Sequence, residues 1–296
     1  MDTISDVNQK IIKLWEEKFG EPENPREGVL IPLLYTPRMV EQERALLFLG
    51  SNPSFVPDAY RVVLDKRHDK TPPETFLSWA NYRKGNLEEY LSVEIIVRHE
   101  YRRYFKAFED ISEKVGLKRD NWNHIDLFFF RETRQNEFKP MVYTAKDKSL
   151  TLFGQDQLNQ SERLINYAQP NLVVVANAFA ADVFLKKYDL ENKFDERRGW
   201  YVSQFGGRDV PIFLSSMITG GHLDTHSRKR LIWHIKEALK EFGVTRTDER
   251  IDKTLDAPST SKVTDGELPK GSGWMEKGIR VDEERVKKVE KEDLWQ

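Results

Sequence analysis

The chain has 296 residues, a formal net charge of −2 and no cysteine. Without cysteine there are no disulfides, thiolate metal sites or cysteine nucleophiles. With the charges so nearly balanced, any footprint for a nucleic acid must be local.

An apolar fraction of 39% supplies a core for roughly 240 residues. The charged start, MDTISDVNQKIIKLWEEKFG, lacks a signal pattern. No apolar run approaches the ~18 residues of a membrane span. A cytoplasmic, soluble monomer with no membrane partner is expected.

Residues 1–20 predict an amphipathic helix, with Ile11, Ile12, Leu14, Trp15 and Phe19 on one stripe, within an N-terminal extension over 1–30. The run at 45–49 is long enough for a buried strand and too short for a helix. It exits into Gly50-Ser51-Asn52-Pro53-Ser54-Phe55. Residues 51–92, with Pro53, Pro57, Pro72 and Pro73, read as a long irregular loop of the kind that often carries function. From Glu94 to Val115 the pattern is helical, with Tyr101, Tyr104, Phe105, Phe108 and Ile111 on one face. Arg98, Arg102 and Arg103 on that helix read as ordinary surface charges.

HIDLFFF, 124–130, predicts a second strand, and 156–168 a helix. NLVVVA, 171–176, predicts a third strand followed directly by a helix, and VPIFLSS, 210–216, a fourth. A helix over 227–243 closes the domain, with Gly243 as its stop. Strand–helix alternation predicts an α/β domain over 31–245: three layers, with a four-stranded parallel sheet flanked by helices. Residues 246–296 turn polar and charged and read as a flexible tail, with a partner-docking motif at Trp274 or Leu294-Trp295 as the alternative reading.

In open α/β sheets ligands bind at the carboxyl ends of the strands. Here those exits collect small and polar residues: Gly50 to Phe55, Asp126 to Arg134, Asn177, and Ser215, Ser216, Met217, Thr219, Gly220, Gly221 and His222. No GxGxxG or GxxxxGK[ST] is present, so neither nucleotide loop is supported. His222 and His226 straddle a loop and a helix start, which is poor metal-ligand geometry. No metal and no cofactor is expected.

The ordered set LLFLGSNPSF, HIDLFFFRETR, PNLVVVANAFAADVF and PIFLSSMITGGH…SRKRLIWHIKEAL resembles the uracil-DNA glycosylase superfamily over about 40–245. GSNPS is most similar to its mismatch-specific and single-strand-selective branches. The chain departs from the family pattern in three ways. Ser215-Ser216-Met217 stand where His-Pro-Ser is usual, Asp126 stands where the base-reading Asn is usual, and the absence of cysteine excludes the iron–sulfur branches.

The resemblance implies a DNA glycosylase that flips a base and hydrolyses its N-glycosidic bond, and with no lysine at a motif to form a Schiff base a monofunctional one is expected. Asn52 would position the water and His222 would assist the leaving base. Ser51, Phe55, Asp126, Phe128, Ser215 and Ser216 would bind the base. Arg61, Lys66, Arg67, Arg131, Arg134, Arg228, Lys229 and Arg230 would contact the phosphates of single- or double-stranded DNA.

Asp126 bears on the substrate. A carboxylate only accepts hydrogen bonds, so a protonated Asp126 would suit a cytosine-type edge and point to a modified cytosine or another altered base rather than plain uracil. Asp126 as a capping residue stays open. A non-catalytic DNA-binding module of the same fold, or an unrelated α/β enzyme of nucleosides or nucleotides, also stays open.

Overall fold

A computed structural model describes residues 3–244, apart from 25, 147 and 220. The tail expected over 246–296, with Trp274, Leu294 and Trp295, lies outside the described residues, as does Gly220.

The chain opens with α1 (Ile4–Phe19). Thr3 caps it: its Oγ1 accepts from the Asp6 N–H at 3.1 Å, and the Asp6 carboxylate accepts from the Thr3 N–H at 2.9 Å. Gly20, at φ 84°, ends it in a backbone region that favours glycine. Its stripe of Val7, Ile11, Trp15 and Phe19 is buried in the main core, so α1 is a structural part of the compact unit. Asn8 on the same stripe clips the next segment, donating to Tyr35 O at 2.7 Å and accepting from Tyr35 N–H at 3.0 Å.

After β1 (Leu46–Gly50), the segment expected to be irregular is largely helical: α2 (Pro57–Lys66), α3 (Pro73–Phe76) and α4 (Leu87–Glu100). Pro57 and Pro73 occupy the first helical turn, where a missing N–H costs nothing. The single helix expected across Glu94–Val115 is two, because the chain turns at Tyr101 before α5 (Arg102–Lys114). Next come β2 (Trp122–Asp126), α6 (Gln135–Val142), the short hairpin β3 (Tyr143–Thr144) and β4 (Ser149–Leu150), and α7 (Leu152–Ala168). β5 (Leu172–Ala176), α8 (Ala178–Lys187), β6 (Phe194–Asp195), β7 (Trp200–Phe205), β8 (Arg208–Ser215) and α9 (Thr225–Glu241) complete the domain.

The main sheet is six-stranded, in the order β2-β1-β5-β8-β7-β6. β1 pairs in parallel with β2 and β5, and β5 with β8. β7 pairs antiparallel with β8 and β6, so the sheet is mixed and larger than the four-stranded one expected from sequence. The β7–β8 turn is Gly206-Gly207, both at positive φ, the conformation a tight hairpin demands.

Alternation along the buried strands feeds two cores. Leu47, Leu49, Ile125, Val173 and Val175 face α1, α7 and α8, while Phe48, Val174 and Phe213 face α5 and α9. Helices therefore cover both faces of the sheet, and the exits of β1 and β2 are flanked by α2, α4 and α5.

Candidate functional site

His124 and Asp126 lie two residues apart on β2, so their side chains share one face of the sheet. Opposite Asp126 in register is Gly50. A Cβ at Gly50 would lie 2.1 Å from Asp126 Oδ1 and 3.1 Å from His124 Nε2. Glycine at the end of β1 is thus what makes room for the carboxyl group and the imidazole.

Asp126 is 4% exposed, and among the described residues its carboxyl group receives no hydrogen bond. Its backbone N–H donates to the Tyr35 hydroxyl oxygen at 3.0 Å. The carboxyl lines a cavity of about 80 Å³ walled by Tyr35, Tyr60, Val97, Tyr101, Tyr104 and Phe105, with Asn52 and Pro53 at its edge. Burial pushes the Asp126 carboxyl up to about 7, against the opposing pull of Arg131 and Arg98. His124 sits 3.4 Å from the Tyr104 hydroxyl, and burial, with Arg98 nearby, pushes it down to about 3, so the imidazole is neutral.

A second, more polar cleft of about 280 Å³ lies over the exits of β1, β5 and β8. Ser51, Gln135, Asn177, Arg103, Met217 and Thr219 line it. Ser51 is buried, and among the described residues its Oγ has no hydrogen-bond partner. Asn52, Ser54, Tyr101 and Tyr104 line both spaces, so the apolar cavity and the polar cleft share a wall.

Asn52 is held rigidly. Its Nδ2 donates to Glu132 O at 2.6 Å and to Phe130 O at 3.3 Å, tying the β1 exit to the loop after β2. Its Oδ1 accepts from Gln135 Nε2 at 3.2 Å, which orients that oxygen toward the polar cleft with one lone pair to spare.

The other residues singled out from sequence scatter. Phe55 packs on the Tyr60 ring, with centroids 5.7 Å apart, and borders the main core. Phe128 is fully buried between Phe138 and Phe179 and lines neither space, so it is a core residue, not a base contact. Ser215 is half-buried, while Ser216 and His222 are exposed and line neither space.

Arg131 is 5% exposed and ion-paired with Glu94 at 2.7 Å. It also donates to Ile31 O at 2.8 Å, so it is an internal strut and out of reach of a phosphate. Arg61 donates to Thr71 O at 3.2 Å. Lys66 pairs with Glu100 at 2.7 Å, Arg67 with Glu89 at 3.6 Å, and Arg134 with Glu137 at 2.8 Å. Arg228 donates to Ala107 O at 3.2 Å, and Arg230 to Ser227 Oγ at 3.2 Å. Lys229 is exposed.

Sequence reasoning passed over His124, Tyr104, Gln135 and Arg98. The His-x-Asp spacing on a strand was a usable signal for the first. Arg98 gave none: it was read as surface, yet its guanidinium donates to Met39 O at 2.6 Å and lies over the Phe105 and Trp122 rings, 5.6 and 5.1 Å from their centroids.

No known family model matches the chain, and no curated protein matches it significantly.

Proposed function

We propose that the protein is a monofunctional DNA glycosylase that takes a single base, flipped from the strand, into the apolar cavity and hydrolyses its N-glycosidic bond. The observation that carries this is the Asp126 carboxyl group: buried, without a hydrogen-bond partner among the described residues and facing an aromatic-walled cavity at the strand exits. A polar group so placed lacks a partner that a ligand would supply.

The two adjoining spaces suit the two halves of a nucleotide. The ring would sit between Tyr104, Phe105 and Tyr60. The sugar and phosphate would occupy the polar cleft near Ser51, Gln135 and Arg103. A ring would enter by displacing solvent from this cavity.

In the reaction, water adds to C1′ as the bond from C1′ to the ring nitrogen breaks. The electron pair leaves with the base, which then takes up a proton. Asn52 Oδ1, fixed by the bonds its amide makes, would orient that water, contributing position rather than basicity. Asp126, poised near neutrality, would meet the base edge. In its protonated form it offers one donor and one acceptor, the match for a cytosine-type edge.

The test is alkali-revealed cleavage of labelled oligonucleotides carrying uracil, hypoxanthine, xanthine, thymine mismatches or modified cytosines, single- and double-stranded. Cleavage that Asp126→Ala abolishes supports the proposal. No cleavage of any substrate refutes it.

One observation favours a second reading, an enzyme of free nucleosides or nucleotides. Most of the cations expected to grip DNA are buried or already paired within the protein. Exposed pairs are weak and open readily, so salt-dependent binding to a duplex distinguishes the two.

A further inference from the structure

Two arginines approach the apolar cavity, and they are solved differently. Arg131 is neutralised by Glu94. Arg98 is not: among the described residues no carboxylate lies within 4.0 Å of its guanidinium. Of the carboxyl groups that act on it electrostatically, Glu41 is paired with Arg44, and Asp126 is raised to about 7, so that about half of it carries a proton at neutral pH. Its guanidinium donates to the Met39 carbonyl and lies over two aromatic faces. Burial has lowered it to about 10, and it stays a cation. Arg98 is half-buried, and with no paired carboxylate among the described residues its charge is available to an anionic ligand.

Arg98 also borders a polar cleft of about 780 Å³ on the β2 edge, sharing Met39 and Phe105 as the partition between that cleft and the apolar cavity. It therefore reaches the cavity from the wall flanking Asp126. We infer that Arg98 is the anion-binding residue of the cavity, receiving a ring oxygen of the bound base and the negative charge that base acquires as it leaves. This rests on the nucleobase reading of the cavity.

The ligand class follows: a six-membered ring with an exocyclic oxygen, bound more tightly the more negative charge that oxygen carries. Preorganised charge aimed at a developing anion, in a site that excludes water, is an effective form of catalytic stabilisation.

The experiment is calorimetric titration of the full chain at neutral pH with two free rings. One is barbiturate, an anion under these conditions, and the other is uracil, its neutral analogue. Wild type is expected to prefer barbiturate by roughly 10- to 100-fold, the worth of a hydrogen bond to a charged group. Arg98→Met, which keeps an apolar stem against Phe105 and Trp122, loses that preference, and Arg98→Lys retains part of it. Equal binding of the two rings by wild type, or an unchanged preference in folded Arg98→Met, overturns the inference. The wild-type comparison needs no variant to fold. Ring binding with the expected preference but no oligonucleotide cleavage would sink the glycosylase proposal and leave Arg98 its role. Cleavage by Arg98→Met at the wild-type rate would do the reverse.

Discussion

Replacing Glu94 with Leu removes the carboxylate that, among the described residues, is paired with Arg131. The Arg131 side chain is 2% exposed and that of Glu94 6%, at an N–O distance of 2.7 Å. A guanidinium cannot shed its proton, so the variant must bury an uncompensated charge. Breaking such a pair on one side costs about 3–5 kcal/mol. For a protein with a total stability of about 5–15 kcal/mol that is a large share, and at ~2–4 °C per kcal/mol the midpoint falls by roughly 6–20 °C. Arg131→Met should cost less at mildly acidic pH, because the stranded carboxyl can take up a proton. It still leaves Ile31 O without its donor. The double variant Glu94→Leu/Arg131→Met should cost clearly less than the sum of the singles, with a coupling of about 2–3 kcal/mol. Urea unfolding followed by tryptophan fluorescence measures all three. A loss under about 1 kcal/mol for Glu94→Leu, or strict additivity, would refute the assignment of Arg131 as a strut held by Glu94.

Gly50→Ala places a Cβ 2.1 Å from Asp126 Oδ1, displacing the carboxyl by about 1 Å and lowering activity and ring binding by ~100-fold; wild-type binding in a folded variant would contradict the site geometry. Asp126, raised from 3.8 to about 7, binds a proton more tightly when folded. Its contribution is therefore present at acid pH and is lost as pH rises from about 4 through 7, by up to about 4 kcal/mol. Asp126→Asn should gain stability relative to wild type across that window, and a pH-independent difference in urea midpoints would exclude it. His124 runs the other way: lowered from 6.5 to about 3, it costs stability as pH falls through that range, and His124→Gln should resist acid better. Asn52→Asp sets a carboxylate against the carbonyls of Glu132 and Phe130 and should unfold about 1–3 kcal/mol more easily than wild type. An unaltered thermal midpoint would show that the loop clip is dispensable.

Apolar runs at 45–49, 171–176 and 210–216 marked three strands of the parallel part of the sheet, because a strand buried on both faces has no choice of composition. α1, α7, α8 and α9 were legible from helical spacing. Prolines misled: Pro57 and Pro73 looked like breakers and are helix starts, since the same missing N–H suits either role. β7 was missed although Gly206-Gly207 beside WYVSQF is a hairpin signal. At the site, Gly50, Asn52 and Asp126 were picked out by residue type and by their place at strand exits.

What the sequence determined by itself was the succession of buried strands along the chain and their alternation with helices, because both follow from local periodicity. Only the tertiary structure decided what each charge does. Arg131 and Arg98 are the same residue type, yet one is paired with Glu94 and the other, among the described residues, has no carboxylate in contact. Asp126 is an ordinary carboxylate in the sequence and a near-neutral acid in the fold. The reason is that solvation and charge pairing are set by neighbours far apart along the chain, which no local pattern encodes.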